Sequence, residues 1–321
     1  MSQPKALLAI PLFLGAVLLG ALGTAAQTVE PQALWSAIAQ PAFDPDKVAV
    51  VENFELRRDA ALLNLNGLMA FGRPDLPASA PAAERRIFAA SFRGSGRLRF
   101  APTLPLEKRQ LAFHSGQELL EAEFTEAVFV FTDNTYEELA LELTFQPTEP
   151  GELQVLYQER RNRWARYGVN WEPRVLKALL AAEPDRHALF VAELNTREHG
   201  WVTLIVDAAD PEELELQKLE PGHRALDVWS KFPAGGRRPQ EVFVDPVAHH
   251  EYALKSYSLD VTVEKNTELK AVAEVNLLMR RAGERVLLLS LDPTSALPRS
   301  PVQRKSLLPS SNRMTPKTAS S

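Results

Sequence analysis

The 321-residue chain has no cysteine. That excludes disulfides, a thiol nucleophile, cysteine-ligated zinc and thiol redox chemistry together. A chain of this length buries a core large enough to fold without cross-links. Long apolar runs are also scarce: after residue 23 no stretch is long enough to span a bilayer. Basic charge is short as well, with 36 Lys and Arg against 41 Asp and Glu. The deficit is uneven. Lys5 of the leader and Arg299, Arg304, Lys305, Arg313 and Lys317 of the last 29 residues leave the body, 27–292, with a net charge of −11. So acidic a body argues against nucleic acid as its partner.

What is present begins with Lys5, the apolar run LLAIPLFLGAVLLGALG and the small residues Thr24-Ala25-Ala26. This is the pattern of a signal peptide over residues 1–26. Pro11 and three glycines interrupt the run, which disfavours the alternative of an uncleaved anchor. The expectation is an exported protein, periplasmic or extracellular and bacterial, with no stable membrane span after cleavage.

Patterning then divides the chain into a lead segment (27–47), an α+β domain (48–250), an incomplete three-strand β-meander (251–293) and a disordered basic tail (294–321). Strand-like stretches are Val48–Leu56, Ala61–Phe71, Arg86–Phe92, Arg97–Phe100, Phe124–Phe131 and the pair Ala188–Leu194 and Trp201–Val206. Asn66-Gly67 and Gly94-Ser95-Gly96 read as hairpin turns. Helical stretches are 31–40, 106–114, 135–143, 152–167, 173–182 and 212–219. Thr135 and Glu138 have capping-box spacing, and Pro173 suits a first helical position. The meander runs through 257–263, 269–278 and 285–291. Helices do not alternate with strands, so the sheet is expected to be mostly antiparallel.

Chemistry-bearing patterns are near misses. His250-Glu251-Tyr252-Ala253-Leu254 begins as HExx and places Leu254 where a zinc site needs its second imidazole. His249 and His250 therefore read as exposed linker residues, and His199 as a solvated turn residue. No G-x-S-x-G is present, and Gly94-Ser95-Gly96 lacks the lysine of a phosphate loop. Carboxylate pairs occur at Asp207 and Asp210, Glu212 and Glu213, and Glu137 and Glu138. A calcium site near Asp210 lacks the spaced oxygen ligands of a calcium loop, and Asp210 reads instead as a helix cap before Glu212. Trp164, Tyr167 and Trp171 form either a sugar platform or, more in keeping with such stripes, core. These residues assemble no catalytic, cofactor-binding or metal site.

Several stretches, in order, resemble one family. They are ALLNLNG (61–67), AASFRGSGRLRFAP (89–102), LEKRQL (106–111) and FTEAVFVFTDNTYEEL (124–139). NWEPRVLKALL (170–180), TLIVDAADPEEL (203–214) and YSLDVTVEKNTELKAVAEVNL (257–277) follow. Together they resemble the non-catalytic leader of exported bacterial proteins akin to M1-family zinc aminopeptidases. The resemblance implies that 257–277 opens the family's amino-terminal β-saddle and that a peptide or protein is the partner. It implies zinc only in a catalytic domain that carries G-x-M-E-N and HExxH, and neither motif is in this sequence. Val51-Glu52-Asn53 echoes the first by two letters and sits far too early, so no catalytic residue transfers. The expected function is that of a non-catalytic N-terminal fragment, truncated before the zinc domain. The alternative is a stand-alone cell-envelope binding or adhesion module.

Overall fold

The computed structural model describes residues 29–166, 169, 171–181, 183–219, 226–236, 252–263, 269–280 and 285–287. The expected signal peptide, the basic tail and the His249-His250 pair lie outside the described residues. Among the described residues no helix is long and apolar enough to cross a membrane.

The fold is α+β, and its centre is an antiparallel sheet of nine strands. In chain order these are β1 (Ala42–Arg58), β2 (Ala61–Arg73), β3 (Ala89–Phe100), β4 (Leu120–Phe131), β5 (Thr144–Phe145), β6 (Leu189–Thr196), β7 (Gly200–Asp207), β8 (Leu214–Leu219) and β9 (Leu226–Phe232). In space they run β5-β1-β2-β3-β4-β6-β7-β8-β9. A separate two-stranded sheet pairs β10 (Tyr252–Val263) with β11 (Leu269–Met279). Of the stretch expected as a third meander strand, the described part, 285–287, returns to the main domain. Val286 is buried among the residues under the helices, and the Arg285 Nε donates to the Leu180 carbonyl at 3.2 Å.

The large sheet is rolled. Phe100 of β3 and Phe232 of β9 are five strands apart, yet their ring centroids are 5.8 Å apart. A flat sheet would separate them by about 24 Å, at about 4.8 Å per strand. Arg58 of β1 likewise lies 5.0 Å from the ring of Phe190 on β6. The concave interior is filled by side chains, among them Phe71, Phe92, Phe124, Phe129, Phe190 and Phe232. Burial of each such side chain contributes roughly 1.5–3 kcal/mol.

The helices are α1 (Pro31–Ala39), α2 (Pro105–Ser115), α3 (Thr135–Ala140), α4 (Gly151–Arg166) and α5 (Glu172–Leu180). The lead segment is thus folded, with Leu34 and Ile38 of α1 buried beside α4 and α5 over the convex face. α2 covers the β9 edge. Its Glu107 accepts hydrogen bonds from the Lys231 N–H (3.0 Å) and the Ser230 hydroxyl (3.2 Å). Unpaired edge groups are thereby taken up.

Five local expectations need correction. Neither Asn66-Gly67 nor Gly94-Ser95-Gly96 is a turn, because β2 and β3 run straight through and pair with each other. The alternation of buried residues Leu63, Leu65, Met69 and Phe71 continues across Gly67, so the strand holds its register. Residues 214–219 are strand β8, not helix: Leu214 and Leu216 point into the core, while Glu215 and Gln217 point out. The Asp210 carboxylate accepts the Glu212 N–H at 2.9 Å in a local turn and caps no helix. The capping box at Thr135 is not formed either. Asp133 accepts the Thr135 N–H at 3.0 Å, and Glu138 pairs with Arg58.

Candidate functional site

A cleft of about 600 Å³ lies on the convex face between α4 and strands β3, β4 and β7. Helix α4 places Leu153, Leu156, Tyr157, Arg160 and Trp164 on one stripe, by helical spacing. Four are buried apolar or aromatic residues, and Arg160 occupies a position where another would be expected. Its guanidinium is held on two sides. Arg160 Nε donates to Glu193 at 3.0 Å, and the second nitrogen pairs with the other carboxylate oxygen. The guanidinium also lies 3.9 Å from the centre of the Trp201 ring. Glu193 is 1% exposed. Burial pushes its carboxyl above the usual carboxylate range, and Arg160 opposes that shift.

Arg93 of β3 forms the wall of the cleft. It pairs with Glu126 at 2.9 Å and with Glu152 of α4. Glu126 also accepts from Asn195 Nδ2 at 3.1 Å. The cleft therefore offers ion-paired carboxylates, two guanidiniums and the apolar Val155 and Leu156. Its charged lining is suited to hydrogen-bonding and charge recognition.

The residues singled out in the sequence are scattered. His114 Nδ1 lies 3.3 Å from Asp227, and its ring stacks on Trp229 at 6.2 Å. His199 packs edge-on against the same Trp229 at 5.2 Å, with 17% of its side chain exposed. It is therefore not the solvated turn residue expected, because the β6–β7 turn lays it on an aromatic face. His187 is buried. Among the described residues no three of His, Asp or Glu converge in a metal-holding arrangement, so the described residues do not fit a zinc centre. Trp164 is core, edge-on to Tyr157 at 6.3 Å and to Trp171 at 6.4 Å, while Tyr167 lies outside the described residues. Glu137 and Glu138 reach Arg86 and Arg58. Ser95 sits in mid-strand.

Asp207, Asp210, Glu212 and Glu213 do come together, with Glu215, around a separate cavity of about 300 Å³ beside β7 and β8. The Arg160–Glu193–Trp201 group escaped the sequence reading. Its one signal was an arginine on the apolar stripe of a helix. Comparison with protein-family models, with curated proteins and with solved structures finds no match to this chain.

Proposed function

We propose that this chain is the non-catalytic amino-terminal part of an exported M1-like metallo-aminopeptidase, serving to position or shield a peptide substrate. The supporting observation is the β10–β11 hairpin. Tyr257, Leu259, Val261 and Val263 line one of its faces, paired through the register with Val275 and Ala273. Leu254, Leu277 and Met279 extend that face beyond a bulge. Most of these side chains are exposed, Val263 by 68% and Leu254 by 60%. The opposite face carries Ser256, Ser258, Asp260, Thr262, Glu274 and Asn276, broken by the exposed Val272 and Leu278. An amphipathic two-strand ribbon with an open apolar face is half of a sandwich, since a lone hairpin is marginal in water. A further β-layer of the saddle type would cover it. Peptide recognition falls to the charged cleft, whose guanidiniums and carboxylates match the carbonyls and amides of a peptide backbone.

A second reading rests on a different observation. Residues 285–287 return to the main domain, so the hairpin is tied at that end like an arm. An arm with an apolar face suits a stand-alone envelope module that grips a partner. Sequencing the coding DNA that follows residue 321 separates the two. A downstream HExxH with a third glutamate ligand, in any frame, supports the peptidase. A downstream region without it supports the module.

A further inference from the structure

The 300 Å³ cavity beside β7 and β8 is unbalanced in charge. Five carboxylates line it: Asp207, Asp210, Glu212, Glu213 and Glu215. Glu213 accepts the Ala234 N–H at 2.8 Å. Arg174 pairs with Asp207, and Lys231 Nζ lies 2.8 Å from Asp210 and 3.2 Å from Glu215. The Glu212 carboxyl is pushed above its usual range by burial and by Asp210, Glu107 and Glu215, although Lys231 opposes the shift. Another positive charge would relieve it.

An independent feature lies under this ring. Gln217 points outward from β8 into the cavity and is only 3% exposed. Its Oε1 has no hydrogen-bond partner. An unsatisfied buried acceptor is destabilising, and an apolar side chain of the same size would avoid the cost. Trp171, with Val169 and Ile205, forms the apolar wall of the same cavity.

A ligand that answers all three features carries positive charge for the carboxylates, N–H donors for Gln217 and an alkyl stem for the wall. A bare metal ion does not, since the described carboxylates do not converge on one point. We infer that this cavity binds the basic side chain, lysine or arginine, of a peptide or protein partner. The ammonium or guanidinium lies among Glu212, Glu215 and Asp210 and donates to Gln217 Oε1, while the stem rests on Trp171 and Ile205. Cation–aromatic attraction adds to the hold. This inference is independent of the peptidase reading: a basic side chain binds here whether the chain serves an enzyme or an envelope module.

The test uses the full chain and three blocked pentapeptides that differ only at the central residue: lysine, arginine or norleucine. Binding is followed by calorimetry at low salt. The lysine and arginine peptides are expected to bind at least tenfold tighter than the norleucine peptide. Gln217→Met and Glu212→Gln are each expected to weaken them about tenfold. Gln217→Met should melt no lower than the parent, because it removes an orphaned acceptor. A Gln217 with a merely structural role would leave affinity unchanged in that variant, which would overturn the inference. Equal binding of all three peptides would overturn it too, as would no saturable binding, the outcome if the cavity holds water alone.

Discussion

Gly67 of β2 and Gly94 of β3 face each other across the ladder, so close that a Cβ on Gly67 would lie 2.7 Å from Gly94 Cα and closer still to the Arg93 carbonyl oxygen. A Cβ on Gly94 would meet Asn66 and Gly67 in the same way. Two residues along, the Phe124 ring occupies the place of a Gly96 side chain, with its Cδ2 2.8 Å from a Cβ there. The three glycines lie on the inner side of the sheet, where backbone and ring come nearest. Gly67→Ala should therefore cost about 3 kcal/mol, as overpacking against rigid backbone does. Asn66→Ala, at an exposed neighbour, should cost less than about 0.5 kcal/mol. Urea titrations of the two variants check this. The reverse order would mean that Asn66-Gly67 is a turn after all.

The buried pair Arg160–Glu193 should be costly to break and cheap to replace. Glu193→Met alone leaves the guanidinium without its carboxylate and should cost about 3–5 kcal/mol. The double variant Arg160→Met, Glu193→Met should cost much less than either single change. A double-mutant cycle by chemical denaturation measures the difference.

Lys231 provides a pH signature. Burial lowers the pKa of its ammonium, but hydrogen bonding and charge from Asp210 and Glu215 outweigh burial and raise it above the usual 10.5. A raised folded-state pKa adds stability that is complete below the unfolded value and lost as pH rises through the folded one. Lys231→Met should thus be less stable by roughly 1 kcal/mol at pH 7–9, a modest figure for a partly exposed pair. The gap should narrow in alkali above about pH 11. Melting curves across that range test the sign. A gap that widens in alkali would contradict it.

The hairpin's apolar face should tolerate charge in the isolated chain. Leu259→Lys with Val275→Lys should leave the main domain's melting temperature unchanged and reduce self-association, because both residues are exposed. Light scattering and thermal melts check this. A lowered melting temperature would show that the face packs within the monomer.

The sequence patterns that carried through were those with a long period. Helices α4 and α5 and the β6–β7 hairpin are all legible, because each repeats its pattern over two or more turns or pairs. The failures were local. Asn-Gly favours a turn locally, whereas here tertiary contact needs the missing Cβ. Glu212-Glu213 favoured a helix start, but Leu214 and Leu216 went into the barrel-like interior and set a period of two. The charged groups were invisible for another reason. Arg160 and Glu193 are 33 residues apart, and Gln217 is distinguished only by lacking a partner. Neither fact leaves a mark on the neighbouring sequence.

The central claim, that this chain serves a zinc aminopeptidase, is tested most directly on the native protein, taken from the cells that make it and from the medium around them. An antibody raised against the β1–β9 domain is used to precipitate the native protein, and the precipitate is assayed on aminoacyl fluorogenic substrates with and without a zinc chelator. The account predicts hydrolysis that the chelator abolishes and zinc restores. A precipitate rich in the domain but inert toward every aminoacyl substrate would contradict it.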